Sequence, residues 1–216
     1  MTGLFGGTFD PIHVGHLDVV RTARTALGLD EVWLVPARIP PHRRPPQASA
    51  AHRFAMVALA TQSEAGVLVS DVEMETSGPS YTSATLDRLE ARGVDLRSLC
   101  FIIGADAFRE IEAWKHYPGV LDRCHFAVVS RPGLPAPELR QALPALASRM
   151  VDASRADVRG TTGQPGILLV DAPTSPVSST EIRSAIGRGT SIEGLVPTAV
   201  AGYIQRHGLY TTPGRV

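Results

Sequence analysis

The sequence predicts an α/β protein in which a doubly wound parallel sheet carries helices on both faces. Three observations support this prediction. Short apolar segments alternate along the chain with segments of helical periodicity. The apolar run at residues 99–103 is continuous, as expected for a strand that is buried on both faces. Gly6 and Gly7 directly follow the first apolar segment, where they allow a tight turn into the next helix.

The individual elements follow from these patterns. The predicted strands are residues 4–5, 32–35, 67–70, 99–103, 125–130 and 167–170. The predicted helices are residues 14–27, 50–62, 82–92, 135–150, 179–187 and 198–207. Two connections are irregular, a proline-rich loop at residues 36–46 and a polar connector at residues 152–166. The predicted core contacts of two helices are Leu17, Val20, Ala23 and Leu27, and Leu86 and Leu89.

Length and composition narrow the class of protein. The 216 residues suit a single domain, with a core at about residues 1–175 and a small helical C-terminal cap at about residues 176–210. A hydrophobic content of 44% can build a core and excludes global disorder. The longest nearly uninterrupted apolar stretch, residues 99–105, is far shorter than the roughly 20 residues of a membrane helix, and no signal peptide is evident. Cys100 and Cys124 have apolar neighbours and no CxxC spacing, so reduced core thiols in a cytoplasmic protein are expected.

The charge distribution indicates a small anionic ligand. The formal net charge is zero, which argues against a nucleic-acid binder. However, residues 36–53 contain Arg38, Arg43, Arg44 and Arg53 and no acid. A local basic segment in a neutral protein favours a small anion over a polyanion. Arg43 and Arg44 could contact phosphate or form a solvated basic run, and Arg53 could equally lie on a helix surface.

The strongest motif is Gly-Gly-Thr-Phe-Asp-Pro-Ile-His-Val-Gly-His at residues 6–16. A strand, two glycines and a helix start place free backbone amides and the helix dipole where phosphate can bind. His13 and His16 are three residues apart, so both can donate to phosphate from one face of a helical turn. Gly15 has no side chain, so a ligand could lie against the backbone there. The alternatives are a plain turn with two surface histidines, or a zinc pair that has no obvious third ligand.

Three further segments have both a functional and a structural interpretation. Residues 178–183 form a serine-capped helix start with an early arginine, which suits an anion site or an ordinary surface helix. Asp106 follows Gly104 at the end of a buried strand, where it could bind ribose hydroxyls, cap its helix, or do both. Trp114 could stack on a ligand ring or belong to the core.

Taken together, these stretches resemble the nicotinate-nucleotide adenylyltransferase family of the HxGH nucleotidyltransferase superfamily. The resemblance covers residues 6–16, 39–43, 79–82, 85–86, 103–106, 114, 131–133, 177–183, 203 and 208–210. It extends over nearly the whole chain and implies a Rossmann-like fold. It also implies adenylyl transfer from ATP to nicotinate mononucleotide, a late step of NAD biosynthesis.

The resemblance also implies roles for individual residues. The implied catalytic residues are His13, His16 and Arg183. The implied ATP-binding residues are Gly6, Gly7, Thr8, Phe9, Gly15, Gly104, Asp106, Ser179 and Thr180. The implied residues for nicotinate mononucleotide are Tyr81, Thr82, Trp114, Arg131 and Arg43. Lys115 stands where many relatives carry a second aromatic residue, which bears on how the nicotinate carboxylate is recognised.

The expected cofactor is Mg²⁺, held mainly by ATP phosphates and water and not by a cage of carboxylates. The expected partners are ATP and nicotinate mononucleotide, without nucleic acid or membrane, while assembly into a homo-oligomer stays open. Two other functions remain: pantetheine-phosphate adenylyltransferase, which shares the fold and the HxGH motif, and a nucleotide-binding module without catalysis. The presence of both histidines argues against the second.

Overall fold

A parallel sheet of seven strands forms the centre of the protein. The computed structural model describes residues 1–41, 45–75, 78–155 and 165–211. The strands are β1 Thr2–Gly7, β2 Glu31–Pro36, β3 Val67–Val69, β4 Leu99–Gly104, β5 His125–Val129, β6 Met150–Asp152 and β7 Ile167–Val170. Their order in the sheet is β3-β2-β1-β4-β5-β7-β6, and every pairing is parallel. This is the predicted α/β fold class.

Helices cover both faces of this sheet. They are α1 Val14–Leu27, α2 Ala50–Thr61, α3 Thr82–Ala91, α4 Ala105–Phe108, α5 Leu139–Ala142, α6 Ser179–Gly187 and α7 Thr198–Arg206. No helix among the described residues is long and apolar enough to span a membrane.

The sheet separates two apolar clusters because successive side chains of a strand point to opposite faces. In β1, Phe5 belongs to the cluster with α1, α2, α6 and α7, while Leu4 belongs to the cluster with α3, α4 and α5. The predicted core residues of the helices at residues 14–27 and 82–92 are confirmed, since all six are buried in these clusters. Cys100 and Cys124 are free and buried, as predicted.

The prediction of one helix at residues 135–150 is wrong. The chain there forms a 3-10 turn at Ala136–Glu138, the short helix α5, and a second 3-10 segment at Pro144–Arg149. Proline has no backbone N–H and its ring clashes with the preceding turn, so Pro144 ends the helical hydrogen-bond pattern. Strand β6 follows at Met150, at the edge of the sheet, where the sequence analysis expected no strand.

Candidate active site

The predicted site residues lie at one edge of the sheet, around the carboxyl ends of β1 and β4. These two strands are neighbours, and the strand order reverses between them. The chain connections therefore diverge at this point and leave a crevice, which is where doubly wound sheets bind ligands. The segments that follow β1, β4, β5 and β7 supply Gly7 to His16, Asp106, Arg131 and the start of α6.

A tight turn connects β1 to α1 and brings an aromatic ring back over the second glycine. Phe9 has a φ of +50°, and a Cβ atom on Gly7 would lie 2.7 Å from the Phe9 ring. Only glycine therefore fits at position 7. At Gly6, a Cβ atom would make an ordinary contact of 3.5 Å with Phe101. Of the two predicted glycines, the steric requirement is at Gly7.

His13 and His16 form a stacked pair at the start of α1. His13 is the N-cap residue, and the two ring centroids lie 3.7 Å apart with 28° between the ring planes. The backbone N–H of His13 donates to Nδ1 of His16 over 3.3 Å. Because Nδ1 accepts this bond, the proton of neutral His16 resides on Nε2, which can act as a donor. Phe9 supports the His16 ring by an edge-to-face contact at 5.0 Å.

Burial keeps His13 neutral at physiological pH. The residue is 3% exposed, and burial followed by the positive charge of Arg131 lowers its pKa to about 4. A buried imidazole is disfavoured in its charged form, so His13 can donate through one N–H but brings no positive charge to the ligand-free site. Within the described part of the chain, its Nδ1 atom has no hydrogen-bond partner.

The low pKa of His13 predicts a loss of stability in acid. As the pH falls from about 6.5 to about 4, the unfolded chain binds a proton at this residue and the folded chain does not. The free energy of unfolding should therefore decrease over this range by about 3 kcal/mol from His13 alone. Urea unfolding at pH 7 and pH 4.5 should show a shallower decrease for His13→Asn than for the wild type. Equal decreases in the two proteins would contradict a depressed pKa at His13.

Gly15 allows close packing within the protein and does not leave an open surface for a ligand, which corrects the sequence interpretation. A Cβ atom at this position would lie 3.1 Å from Nδ1 of His13 and 3.1 Å from the carbonyl oxygen of Ser175. Ser175 precedes α6, and its backbone N–H donates to Asp18 of α1 over 3.3 Å. The absence of a side chain at Gly15 therefore lets the segment before α6 approach the His13 ring.

Helix α6 brings the second predicted phosphate-binding element to the first. Its N-cap is Ser178, whose hydroxyl accepts from the backbone N–H of Glu181 over 3.2 Å. Ser179 donates to the carbonyl oxygen of Pro11 over 2.9 Å. Arg183 donates through Nη1 to the carbonyl oxygen of Asp10 over 2.6 Å, and through Nη2 to the hydroxyl of exposed Thr180 over 3.2 Å. Residues far apart in sequence thus form one cationic wall of the crevice.

Asp106 and Arg131 lie beside each other at the ends of β4 and β5. Their Oδ1 and Nε atoms are 3.9 Å apart, and the Asp106 side chain is 62% exposed. The N-cap of α4 is Gly104, without a side-chain cap, so the alternative in which Asp106 caps its helix finds no support. The carboxylate is open to solvent and to a ligand. Arg131 therefore lies with the residues predicted for ATP, close enough to His13 to affect its pKa.

The residues predicted for the acceptor lie near a second aromatic group. Trp114 is half-buried and meets Phe101 edge-to-face at 6.0 Å, so it packs on the core while one part stays exposed. Tyr81 is the N-cap residue of α3, which begins at Thr82. The Nζ atom of Lys115 lies 4.8 Å from the centroid of the Tyr81 ring. The structure thus brings a cation to the predicted acceptor side.

Two basic residues of the proline-rich region have different outcomes. Arg43 lies outside the described residues, so its predicted role stays a prediction. Arg53 is 1% exposed and donates to the carbonyl oxygens of Thr8, Ala37, Arg38 and Ala48. It is neither a surface residue nor free to contact phosphate, because backbone carbonyls occupy its guanidinium.

Sequence reasoning missed two buried acids near the site. Asp10 is 5% exposed and contacts several segments of the crevice wall, although its place within the motif of residues 6–16 was a signal. Glu73 is buried and accepts a hydrogen bond from Thr85 of α3. Burial raises the pKa of Glu73. No periodicity marked Glu73, because a lone acid outside a motif looks like any surface residue.

The described residues contain no group of three or more histidines, cysteines or acids that could hold a metal ion. The exposed Asp106 carboxylate is paired with an arginine, and Asp10 is buried among its own hydrogen bonds. The side chains of the described site therefore do not fit a resident metal centre. A divalent ion here would have to be bound by the phosphate groups of a ligand.

The comparisons with known proteins agree with this geometry. The sequence profile of the cytidylyltransferase-like family matches residues 4–185. Together with the crevice at the strand reversal, this match defines the protein as a cytidylyltransferase-like nucleotidyltransferase.

The full-length relatives narrow this class. A probable nicotinate-nucleotide adenylyltransferase of Dechloromonas aromatica is 41% identical over 210 residues, covering 96% of this chain and 96% of the relative. A protein of the same description from Pseudomonas aeruginosa PAO1 is 39% identical over 211 residues, covering 98% and 97%. The chain belongs to this family of nicotinate-nucleotide adenylyltransferases, which confirms the resemblance found in its motifs.

A solved structure supports the fold. The nicotinic acid mononucleotide adenylyltransferase of Plasmodium falciparum, complexed with NaAD, has a TM-score of 0.71 to this protein at 17% sequence identity. The similarity covers 97% of this chain and 96% of that chain. At this level of identity it concerns the fold, and it confirms the predicted Rossmann-like architecture.

Proposed function

We propose that the protein transfers the adenylyl group of ATP to nicotinate mononucleotide, giving nicotinate adenine dinucleotide and pyrophosphate. One observation carries this proposal beyond family membership. The His13–His16 pair and Arg183 converge at the strand reversal, where Arg183 is hydrogen-bonded to the turn that precedes the histidines. This is an arrangement of donors suited to a polyphosphate and contains no activated nucleophile.

The chemistry needs little more than such donors. A phosphate oxygen of nicotinate mononucleotide attacks the α-phosphorus of ATP, and the new P–O bond forms as the bond to the β-phosphate oxygen breaks. Pyrophosphate leaves with the electron pair of that bond. Because the acceptor phosphate is already a nucleophile, the protein has to align the reactants and stabilise negative charge.

The residues divide this work according to their positions. His16 donates from Nε2 to the reacting phosphoryl group, and neutral His13 adds a second donor. Arg183, Ser179 and Thr180, at the start of α6, bind the β- and γ-phosphates as pyrophosphate departs. Gly6, Gly7, Thr8 and Phe9 shape the turn beneath the triphosphate. Asp106 binds the adenosine ribose beside Gly104, and Mg²⁺ enters bound to ATP.

The acceptor side is proposed from the second group of residues. Trp114 stacks on the pyridine ring, Tyr81 and Thr82 shape its pocket, and Arg131 and Arg43 hold the acceptor phosphate. A pyridinium ring over an indole face gains from stacking and from the attraction of a cation to the π system. We place the reaction in the cytoplasm, in line with the two free thiols, and leave open assembly into a homo-oligomer.

The test is a pyrophosphate-release assay with purified protein, Mg²⁺ and ATP. Nicotinate mononucleotide, its amide counterpart and phosphopantetheine are offered separately as acceptors. We expect the highest kcat/KM with nicotinate mononucleotide. A preference for phosphopantetheine would favour the pantetheine-phosphate adenylyltransferase alternative, and ATP binding without turnover of any acceptor would favour a module without catalysis.

Lys115 should contribute to the preference for the acid over the amide. Its ammonium group lies by Tyr81 on the acceptor side, where a nicotinate carboxylate gains an attraction that a neutral carboxamide lacks. Lys115 is exposed, so solvent weakens this effect to the range of surface ion pairs. The ratio of kcat/KM for the acid to that for the amide should fall about twofold to fivefold in Lys115→Met. An unchanged ratio would remove Lys115 from substrate discrimination, and Arg109→Met, an exposed basic residue, is the matched control.

A further inference from the structure

The carboxylate of Asp10 joins three segments of the site. One oxygen, Oδ2, accepts from the backbone N–H of Gln47 over 2.8 Å. The other, Oδ1, accepts from the backbone N–H of Ala48 over 3.0 Å and from the hydroxyl of Tyr210 over 2.8 Å. Two of these donors precede α2 and the third follows α7. Asp10 thus fastens the turn after β1 to two distant parts of the chain.

The same residue holds Arg183. The Nη1 atom of Arg183 donates to the main-chain oxygen of Asp10 over 2.6 Å and lies 4.0 Å from the carboxylate oxygen Oδ2. The Asp10 side chain is 6% exposed and that of Arg183 is 23% exposed, so solvent screens this charge pair only partly. Any shift of Asp10 moves the acceptor that orients the guanidinium.

Tyr210 completes the arrangement from the C-terminal segment. Burial, then the negative charge of Asp10, raises the pKa of Tyr210, so its hydroxyl remains protonated and donates. The residue has a φ of +65°, a left-handed conformation that is unfavourable for a tyrosine. The surrounding contacts must outweigh this cost, and the bond to Asp10 is the polar contact among them.

We propose that Asp10 and Tyr210 are positioning residues that hold the Arg183 guanidinium in its productive place beside the histidine pair. Neither needs to touch substrate. Tyr210 holds the Asp10 carboxylate, and Asp10 holds Arg183 through its carbonyl and its charge. This inference rests on the proposed function, because it assigns Arg183 to the departing phosphates.

The test compares Tyr210→Phe with Tyr203→Phe. Each substitution removes one tyrosine hydroxyl from the C-terminal segment. The Tyr203 hydroxyl bonds to Nδ1 of His52 over 3.0 Å, between α7 and α2 and away from Asp10. The bond lengths are similar, so Tyr203→Phe controls for the loss of a hydrogen bond as such.

We expect Tyr210→Phe to lower kcat about fivefold to twentyfold, the effect of losing one hydrogen bond to a charged group. The KM for nicotinate mononucleotide should change less than twofold, because the acceptor side is untouched. Tyr203→Phe should keep kcat within about twofold while its Tm falls by a similar amount. Asp10→Asn, which removes the charge near Arg183, should lower kcat more than Tyr210→Phe does.

Equal kcat values for the two phenylalanine variants, or a loss in Tyr210→Phe that appears only in the KM for nicotinate mononucleotide, would overturn the proposal. The outcome is separable from that of the proposed function. If the wild type prefers another acceptor in the pyrophosphate-release assay, that assignment fails, and the two variants are compared with the preferred acceptor. If no acceptor reacts, an unchanged affinity for ATP in Tyr210→Phe, measured by calorimetry, rejects the positioning role, and a weakened affinity supports it.

Discussion

His16→Ala is expected to lower kcat for adenylyl transfer about 10²- to 10³-fold, the loss typical of one donor aimed at transition-state charge. The Nδ1 atom of His16 accepts from the backbone N–H of His13, which leaves the proton on Nε2. Alanine supplies no donor at that place, and a water molecule there would not be held in position. Steady-state measurement of pyrophosphate release gives the comparison.

The variant should still fold. His16 is half-exposed, and its loss removes one hydrogen bond and an edge-to-face contact with Phe9, a cost of about 1 to 2 kcal/mol in unfolding free energy. His207→Ala is the matched control, since His207 is an exposed histidine at the end of α7. If His16→Ala turned over as fast as this control, the role assigned to the HxGH motif would be wrong.

Arg53→Met should have the largest effect on stability, destabilising the protein by about 3 to 5 kcal/mol. The guanidinium of Arg53 donates over 2.6 Å to Ala37 and over 2.7 Å to Thr8, and also binds the carbonyls of Arg38 and Ala48. Methionine keeps an apolar stem of similar length but leaves these acceptors without their donor. Each buried acceptor without a partner costs about 1 to 3 kcal/mol.

Urea unfolding monitored by circular dichroism tests this expectation. Arg109→Met, which replaces an exposed arginine, should change the free energy of unfolding by less than about 0.5 kcal/mol. A loss of stability below 1 kcal/mol in Arg53→Met would mean that water replaces the guanidinium without cost. It would then reopen the interpretation of Arg53 as a surface residue.

The Arg53 case illustrates a limit of sequence reasoning. The basic content of residues 36–53 indicated an anion site, and the structure assigns one of its arginines to backbone carbonyls. Charge counted along a sequence does not distinguish a cation facing a ligand from one that satisfies buried carbonyls. The same limit applies to Gly15, whose missing side chain accommodates Ser175 from another part of the chain.

Local patterns determined much of the fold. Apolar periodicity over residues 14–27 and 82–92 identified two helices and their buried faces, because a helix in contact with a sheet must present one apolar stripe. The segment at residues 135–150 failed because apolar content alone suggested a helix, whereas Pro144 cannot continue one. A three-residue edge strand such as β6 is too short for periodicity to reveal.

The sequence by itself determined the fold class, the family and the identity of the motif residues, since each depends on residue types at short spacings. Only the tertiary structure decided how those motifs meet. It showed that burial makes His13 neutral, that Arg183 is held by Asp10, and that Tyr210 reaches the turn after β1. The physical reason is that burial, pKa and hydrogen bonding depend on neighbours brought together from distant parts of the chain, which no local pattern encodes.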